Sequence, residues 1–309
     1  MPYCEGMARV FAAADVGSNT LHLLVAAVDG ARASRLRNES EWLSLGEIVS
    51  REGRVPPAEE ARLISVLKSY RATATSLKAE GLYVFATEAM RVASNHDQVI
   101  ERVRREAGVT IELITPRREA ELSRLGTTID TPVLDPTGLI EVGGGSAQVA
   151  RCEDESITDE ASLPLGTGRL IAAHGLTQPS TSDQVARLTE AVRREALRAA
   201  DFARVECVVA SGGVARGLWR ALHPDGDKTL TREELEYAFW AAQRLPIDVI
   251  CARFGVKAKR AATLLPGATV FLELLSVLGQ DTMRLSEFGV REGAVLEMAR
   301  GRLEAVCRA

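Results

Sequence analysis

The sequence is poor in cysteine, histidine and aromatic residues, and these shortages exclude several classes of site. Its 309 residues include five cysteines and four histidines, and aromatic residues make up 5%. No two cysteines form a Cys-x-x-Cys pair and no histidine cluster lies beside one, so neither a zinc site nor a disulfide framework is expected. A reduced, cytoplasmic compartment is the simplest expectation. The cysteines are Cys4, Cys152, Cys207, Cys251 and Cys307.

Long hydrophobic runs and a strong net charge are also missing. No apolar run approaches the roughly 20 residues of a membrane-spanning helix, so we expect no membrane partner. The formal net charge of −4 argues against electrostatic capture of nucleic acid, and no DNA partner is expected. Basic side chains on helical segments could still line a groove for an anionic polymer, or they could be ordinary solvated helix faces. They are Arg102, Arg104, Arg105, Arg117, Arg118, Lys257, Lys259 and Arg260.

The length and the ordinary composition predict a globular protein of two domains. Hydrophobic residues make up 46% and charged residues 26%, which indicates neither a disordered nor a fibrous protein. A chain of 309 residues exceeds the length of about 250–300 residues at which single cores stop growing. The turn-rich segment 131–136 is the best boundary. We therefore expect domains at 1–130 and 131–309, with the last helix a candidate to pack back on the first domain.

A pattern of three strands joined by turns occurs twice, and we interpret it as an internal duplication. The first copy has strands at 9–15, 21–28 and 31–40, and the second has strands at 137–142, 146–152 and 156–163. Hydrophobic periodicity and capping residues predict the remaining elements. These are helices at 58–79, 96–107, 117–127, 181–200, 211–219, 231–243, 257–279 with a break or kink at Pro266, and 289–304, and strands at 82–87, 109–114 and 206–210.

In both copies the first strand ends in an acid followed by a turn of small residues. The two segments read Asp15-Val16-Gly17-Ser18-Asn19-Thr20 and Glu141-Val142-Gly143-Gly144-Gly145-Ser146. A carboxylate at a strand end can hold a hard divalent cation, and glycines let backbone N–H groups approach phosphate oxygens. An ordinary hairpin turn would use the same residues. Their duplication favours two phosphate-binding half-sites that face each other across a cleft.

Several further motifs, taken in order with these two turns, resemble the exopolyphosphatase/guanosine pentaphosphate phosphohydrolase (Ppx/GppA) family. The similarity extends from about residue 9 to residue 300. The further motifs are Ala86-Thr87-Glu88-Ala89-Met90-Arg91-Val92-Ala93-Ser94-Asn95, Ile114-Thr115-Pro116-Arg117-Arg118-Glu119-Ala120, Ser162-Leu163-Pro164-Leu165-Gly166, Ser211-Gly212-Gly213 and Gly289-Val290-Arg291-Glu292-Gly293.

The resemblance implies a fold, an activity and a cofactor. The fold is α/β, with two duplicated RNase H-like domains as in actin, the 70-kDa heat-shock chaperones and sugar kinases. The implied activity is the Mg²⁺-dependent, or Mn²⁺-dependent, release of a terminal phosphate from inorganic polyphosphate or from guanosine pentaphosphate. Longer family members carry an additional C-terminal helical domain that this chain has no room for, which favours shorter polymers by analogy.

The resemblance also assigns roles to individual residues. Asp15 is the expected metal ligand, Arg91 a clamp on phosphate oxygens, and Glu119 the carboxylate that positions and deprotonates the attacking water. From the residues alone, Glu119 would be an exposed glutamate near the start of a helix that begins at Pro116. The first phosphate loop comprises Gly17, Ser18, Asn19 and Thr20, and the second comprises Gly143, Gly144, Gly145 and Ser146. A third loop, near a nucleotide base or the distal polymer, comprises Ser211, Gly212 and Gly213.

The second loop departs from the family pattern at two positions. The family motif usually begins with Asp and ends in Thr-Glu, whereas this chain has Glu141 and, after Ala147, Gln148. Glu141 keeps the charge of a metal ligand but reaches one methylene further, and Gln148 keeps only an acceptor oxygen near the water or the metal. We expect weaker metal binding than in the usual pattern.

Two alternatives to hydrolysis stay open at this stage. A binding protein that senses polyphosphate or guanosine polyphosphates without hydrolysing them is suggested by Glu141 and Gln148. A kinase of the same fold would need an acceptor pocket that the sequence does not locate. His22, which alternates with apolar residues beside the first loop, is expected to pack or form a hydrogen bond rather than to catalyse. The sequence decides neither the preferred substrate nor the oligomeric state, for which a homodimer is one option.

Overall fold

The chain folds around two mixed β-sheets, as seen in a computed structural model that describes residues 8–132, 135–202, 204–223 and 226–305. Cys4 and Cys307 lie outside the described residues, and Cys152, Cys207 and Cys251 are free thiols. The elements up to residue 127 are β1 (Arg9–Val16), β2 (Thr20–Asp29), β3 (Arg32–Trp42), α1 (Leu45–Glu52), α2 (Pro57–Ser76), β4 (Leu82–Ala86), α3 (Glu88–Val92), α4 (His96–Ala107), β5 (Glu112–Leu113) and α5 (Pro116–Thr127).

The second part of the chain begins with another run of three strands. Its elements are β6 (Thr137–Val142), β7 (Ala147–Glu153), β8 (Ser156–Leu163), α6 (Thr167–His174), α7 (Ser182–Ala196), a 3₁₀ helix (Leu197–Phe202), β9 (Cys207–Ser211), α8 (Gly212–Leu222), β10 (Thr229–Thr231), α9 (Arg232–Arg244), α10 (Ile247–Phe254), α11 (Ala258–Ala261), α12 (Leu264–Leu278), β11 (Thr282–Leu285) and α13 (Val290–Ala299).

The described chain divides into two compact units that do not follow a single cut in the sequence. One unit contains the residues up to Ile129 together with those from Gly289 onward, and the other extends from Asp130 to Phe288. The last helix, α13, therefore belongs to the first unit, where it packs on α5 and β1. Gly126 and Gly293 permit this approach, because a Cβ on either would overlap the backbone of Gly289 or Leu122.

The sheet of the first unit has the order β3-β2-β1-β4-β5. β1 pairs antiparallel with β2 and parallel with β4, and both of its faces are covered by apolar side chains. Such burial explains why β4 consists of the uninterrupted apolar run Leu82–Ala86. Tyr83 and Phe85 on this strand are fully buried and stack with their ring centroids 5.5 Å apart.

The sheet of the second unit repeats this topology with one added edge strand. Its order is β10-β11-β9-β6-β7-β8, and β6 pairs antiparallel with β7 and parallel with β9. Even the registers correspond, because Asp15 faces His22 across β1 and β2, whereas Glu141 faces Gln148 across β6 and β7. The expected α/β fold with two duplicated halves is confirmed.

Helix ends agree with the sequence where a capping residue marks them. Thr231 and Glu234 form the predicted capping box at the start of α9, and Thr115 caps α5 through the N–H of Arg118. The strand predicted at 109–114 is wrong in length, because only Glu112 and Leu113 pair with the end of β4. The helix predicted at 181–200 ends as α-helix at Ala196 and continues as a 3₁₀ helix.

One apolar segment is longer than the sequence pattern predicts. α11 and α12, with the short turn between them, form the segment Ala258–Leu278, which is apolar enough to cross a membrane by length and composition, so the prediction that no apolar run approaches that length was wrong. Its most apolar window is 72% buried inside the protein. α12, the larger part of this segment, packs on α7 and α9, as expected for a core helix.

Candidate active site

The first glycine turn lies between β1 and β2 and is fastened by the chain that follows β3. Gly17, Ser18 and Asn19 are its linking residues, and Thr20 opens β2. The carbonyl oxygen of Ser18 accepts a hydrogen bond of 2.6 Å from the N–H of Gly46, in the first turn of α1. The carbonyl of Asn19 accepts from the N–H groups of Leu43 and Ser44, at 3.0 and 2.9 Å. With its carbonyls held in this way, the turn has little freedom to rearrange.

A second acidic residue, to which the sequence motifs assigned no role, lies beside this turn. The buried hydroxyl of Ser18 donates to Oε2 of Glu88 at 3.4 Å. Glu88 is the first residue of α3, three positions before Arg91. It belongs to the motif that contains Arg91, in which only the arginine was predicted to have a role. In sequence it reads as an ordinary first-turn glutamate, and only the tertiary contact with Ser18 distinguishes it.

Arg91 and Glu119 form an ion pair in the first unit. Nη1 of Arg91 donates to Oε2 of Glu119 at 3.3 Å and to the carbonyl oxygen of Ile114 at 2.7 Å. Glu119 lies in the first turn of α5 and is only 8% exposed, so it is not the solvated helix-start residue that the sequence alone favours. A buried carboxylate held by an arginine in this way can present its other oxygen to a water molecule.

The second glycine turn lies between β6 and β7 and is fastened by a helix start in the same manner. The carbonyl oxygens of Gly143 and Gly144 accept from the N–H groups of Thr167 and Arg169, at 3.0 and 3.1 Å. Within the turn, the N–H of Gly143 donates to the carbonyl of Ser146 at 2.9 Å. In both units a loop after the central strand is thus braced by the first turn of a helix.

Two residues that brace the second loop were missed as site residues. A Cβ on Gly166, the N-cap of α6, would overlap the backbone of Gly144 and Gly145, so only glycine fits there without displacing the loop. Nε of Arg169 donates to the carbonyl oxygen of Gly145 at 2.9 Å. Gly166 ends the Ser162–Gly166 motif. Its contact with the second loop joins residues about twenty positions apart, and no local sequence pattern predicts such a contact.

Glu141 lies on β6 next to the third loop. Oε2 of Glu141 accepts a hydrogen bond of 3.2 Å from the hydroxyl of Ser211, the N-cap of α8. Gly212 follows with a φ of +86°, a conformation that favours glycine, and a Cβ there would approach Cγ of Glu141 within 3.0 Å. The predicted third loop and the acid of the second loop are therefore in direct contact.

Gln148 is buried and is held by hydroxyl groups. Its Nε2 donates to Oγ of Ser146 at 3.3 Å and to Oγ of Ser162 at 3.0 Å. A glutamate at this position could not donate, but both hydroxyls could turn to donate to it. The surroundings of Gln148 thus accept either an amide or a carboxylate.

The basic residues proposed as a polymer groove fall into two groups. Those in the first unit are paired with acids on the same helix or on a neighbouring one, as solvated or structural ion pairs. Arg260 differs, because its side chain lies against Gly213 and Gly217 of α8 and no hydrogen bond or ion pair to it occurs in the described ranges. Burial and the neighbouring Arg220 lower the pKa of Arg260. A cation of this kind beside a helix start would bind an anion well.

The acidic residues can hold a divalent cation only with help from substrate or water. Within residues 8–132, 135–202, 204–223 and 226–305, no group of three or more His, Cys, Asp or Glu side chains is arranged to hold a metal ion. Asp15 and Glu141 are hard oxygen donors at equivalent strand ends. Because Mg²⁺ commonly keeps several waters and binds one or two carboxylates together with substrate phosphates, each of these acids has the donor chemistry that a substrate-borne ion uses.

Comparisons with known proteins agree with one another. The model of the Ppx/GppA phosphatase family matches residues 24–301. The exopolyphosphatase 1 of Mycobacterium leprae is 27% identical over 304 residues, which cover 91% of this chain and 87% of the mycobacterial protein. The guanosine-5′-triphosphate,3′-diphosphate pyrophosphatase of Aliivibrio fischeri is 22% identical over 299 residues, 93% of this chain and 59% of that protein.

A solved structure is similar over nearly the whole chain. The crystal structure of the Ppx/GppA family member from Aquifex aeolicus superposes with a TM-score of 0.82 and is 27% identical. The match covers 96% of this chain and 99% of the Aquifex chain. The resemblance inferred from the motifs is confirmed by both kinds of comparison.

Proposed function

The chain belongs to the Ppx/GppA phosphatase family, and from this premise we propose that it releases the terminal phosphate from inorganic polyphosphate or guanosine pentaphosphate. The observation that carries the proposal is the buried pair of Arg91 and Glu119 in the first unit. A phosphatase that uses no covalent intermediate needs a base to orient water and a cation to hold the phosphoryl oxygens. This pair supplies both groups.

In the proposed reaction Glu119 accepts a hydrogen bond from the attacking water and takes its proton as the oxygen–phosphorus bond forms. The bond from the terminal phosphorus to the bridging oxygen breaks, and the shortened polyphosphate or nucleotide departs with that oxygen. Arg91 keeps Glu119 in place through Nη1, while its remaining N–H groups are available to the phosphoryl oxygens. Positioning of this kind is the main contribution of a protein to phosphoryl transfer.

The glycine loops would hold the phosphate chain through their N–H groups. In both loops the carbonyl oxygens of linking residues accept hydrogen bonds from a helix start or from the residues just before it, which fixes the backbone whose N–H groups, other than that of Gly143, would face anionic oxygens. Ser211, Gly212 and Gly213, together with Arg260, would hold phosphates or a base further from the reacting end. Each contribution is a hydrogen bond to a charged acceptor, which is stronger than one between neutral groups.

The proposed cofactor is Mg²⁺, with Mn²⁺ as an alternative, bound through Asp15 and Glu141. The ion would neutralise charge on the phosphate oxygens. The cytoplasmic location also remains a prediction, since it rests only on the pattern of cysteines in the sequence.

A sensor that binds the same ligands without hydrolysing them is favoured by two observations. Oε2 of Glu141 accepts from Ser211, which competes with a cation, and the neutral Gln148 occupies the place of an acid. The kinase alternative has no observation that supports it.

Phosphate release by the purified protein tests the proposal. It would be measured with Mg²⁺ or Mn²⁺ on polyphosphates of several lengths and on guanosine pentaphosphate, and calorimetry would measure binding of the same ligands. Release that stops when the metal is chelated supports the hydrolase. Binding without release on any substrate supports the sensor, and neither binding nor release contradicts both.

A further inference from the structure

A cavity of about 380 Å³ lies in the first unit, where the loop after α1 meets the start of α2 and one face of α4. Its volume is within the range of small-molecule sites. All seven residues that line it, among those that the structure describes, are polar or charged, and none is aromatic. Most small-molecule sites are lined mainly by hydrophobic and aromatic side chains. This lining therefore selects a ligand that is polar over its whole surface.

Hydrogen bonds fix the walls of the cavity. Asn95, the N-cap of α4, donates from Nδ2 to the carbonyl oxygen of Val55 and accepts at Oδ1 from the N–H of Val55, both at 2.9 Å. On the α2 side, Glu60 is only 8% exposed, and its Oε2 accepts from Nη1 of Arg102 at 3.2 Å. Nε of Arg102 also donates to Glu106 at 2.7 Å. Walls that are already held lower the entropy cost of binding a ligand.

Two exposed arginines of the cavity have guanidinium groups that a ligand can use. Arg54 makes no ion pair or hydrogen bond with any residue that the structure describes. Nη2 of Arg105 is 3.9 Å from Oε1 of Glu106, an oxygen that already accepts from Arg102. Each guanidinium can bind two oxygens of one anion. A phosphate group has three terminal oxygens and can serve both arginines, whereas a carboxylate has two and suits one.

Two carboxylates in the same cavity limit the charge that the ligand can carry. Glu60 and Glu101 are both lining residues, and the oxygens of Glu101 accept from Arg104 at 2.7 and 2.8 Å. Three lining arginines against two lining glutamates leave one positive charge in excess. A polyphosphate chain is charged along its whole length and would be repelled by the glutamates. Hydroxyl groups, by contrast, can donate to these carboxylates and pair with the amide of Gln98.

We propose that this cavity binds a phosphorylated sugar. The phosphate is held by Arg54 and Arg105, and the sugar hydroxyls by Glu60, Glu101 and Gln98. Among the residues that the structure describes, the lining offers no aromatic ring on which a base could stack, and such stacking is a main contribution to base binding. The lining therefore favours a sugar phosphate over a nucleotide.

The cavity is separate from the first glycine turn. Gly46, in the first turn of α1, donates to the carbonyl of Ser18, whereas Arg54 follows Gly53 at the other end of that helix. The rise of the helix puts about 10 Å between Gly46 and Gly53. The site is therefore additional to the one proposed for phosphate release, and its occupation does not depend on that reaction.

Isothermal titration calorimetry of the full chain tests the proposal. Glucose 6-phosphate and ribose 5-phosphate are the probes, and glucose and inorganic phosphate are the comparisons. At least one of the two phosphorylated sugars is expected to bind with a dissociation constant below about 1 mM. Because the sugar and the phosphate are recognised together, that ligand is expected to bind at least about tenfold more tightly than glucose or inorganic phosphate.

Variants connect this binding to the cavity. Arg54→Ala and Arg105→Ala each remove charged hydrogen-bond donors and are expected to raise the dissociation constant about tenfold. Gln98→Ala is expected to weaken binding of the phosphorylated sugar but not of inorganic phosphate. Arg51→Ala is the matched control, because Arg51 is also an exposed arginine and lies three residues before Arg54, but it pairs with Glu52 outside the cavity.

All four substituted side chains are exposed, so each variant is expected to keep the melting temperature of the wild type. Failure of both phosphorylated sugars to bind overturns the proposal. So does binding that Arg54→Ala and Arg105→Ala leave unchanged, or binding no tighter than that of inorganic phosphate. Calorimetry does not require phosphate release, so a failure of the proposed hydrolysis would not be mistaken for a failure of this site.

Discussion

The loop after β1 and the loop after β6 occupy equivalent positions in their sheets, and both are braced by the start of a helix. Their charges differ. The first unit combines Asp15 with Glu88, which accepts from Ser18, and with Glu119, which pairs with Arg91. In the second unit Glu141 accepts from Ser211 and faces the neutral Gln148. The duplication has therefore kept the braced glycine turn in both units, while the proposed base, Glu119, lies in the first.

The largest expected effect comes from removing Glu119, the buried acid that distinguishes the first unit from the second. Glu119→Gln keeps the size of the side chain but removes the base, and we expect phosphate release to fall by about 10²–10⁴. Glu121→Gln on the same helix is the control, because Glu121 pairs with Arg117 and Arg118 at the surface. An equal loss in both variants, or none in Glu119→Gln, would contradict the role of Glu119.

The second prediction compares the helix starts that brace the two loops. A Cβ at Gly166 would overlap the backbone of Gly144 and Gly145, whereas one at Gly46 would lie 2.7 Å from Cβ of Ser18 and would gain helix propensity in α1. We expect Gly166→Ala to lower the free energy of unfolding by about 3 kcal/mol and Gly46→Ala by less. Urea unfolding measures both. The reverse order would show that the second loop is the more adaptable one.

The third prediction concerns a carboxylate of the second unit that we expect to be structural. Asp130 accepts from the hydroxyl of Ser286 at 2.5 Å, and from the N–H of Glu287 and Nζ of Lys228 at 3.0 Å each. Burial alone would raise the pKa of Asp130, but these donors outweigh burial and lower it. Asp130→Asn should therefore reduce the free energy of unfolding at pH 7 by about 1–2 kcal/mol.

The pH dependence of this loss follows from the direction of the shift. Because the pKa of Asp130 is lower in the folded than in the unfolded protein, its stabilisation is full above the unfolded value of about 3.9 and is lost as the pH falls through the folded value. The difference between wild type and Asp130→Asn should be constant from pH 5 to 7 and shrink below about pH 4. Thermal melting across that range measures it, and a difference that grows on acidification would be inconsistent with a lowered pKa.

The smallest expected effect would make the two loops more alike. Gln148→Glu restores the acid of the usual family pattern in surroundings where Ser146 and Ser162 can donate to it. We expect the Mg²⁺ concentration for half-maximal phosphate release to fall several-fold, because an added carboxylate strengthens binding of a hard cation. Gln148→Ala serves as the control for loss of packing. If both variants change the metal requirement alike, charge at this position is unimportant.

The parts of the fold that could be predicted from the sequence are those marked by a local pattern of residues. The strand at β4 is an apolar run, α9 begins at a capping box, and the two glycine turns follow acids at strand ends. α1 was missed because its N-cap, Ser44, has a φ of 56° and makes no side-chain capping bond. The indole of Trp42 instead donates to the Ser44 hydroxyl at 2.6 Å, a contact that no propensity records.

The site residues that were missed depend on contacts between distant segments. Glu88 is distinguished by Ser18, and Gly166 by the backbone of Gly144 and Gly145. Both residues lie inside motifs that were identified in the sequence. The motifs gave their positions, but the contacts that each residue makes are seen only in the tertiary structure. The pairing of Arg91 with Glu119 likewise joins α3 to α5 across a helix and a strand.

The packing of α13 on the first unit has a consequence for the order in which parts of the chain fold during synthesis. A ribosome delivers β1 to α5 long before Gly293, yet α5, which carries Glu119, has its most extensive helix packing with α13. The second unit, from Asp130 to Phe288, is one continuous segment and can complete its fold earlier during synthesis. The helix that carries Glu119, the proposed base, should therefore reach its final packing as one of the last events of synthesis.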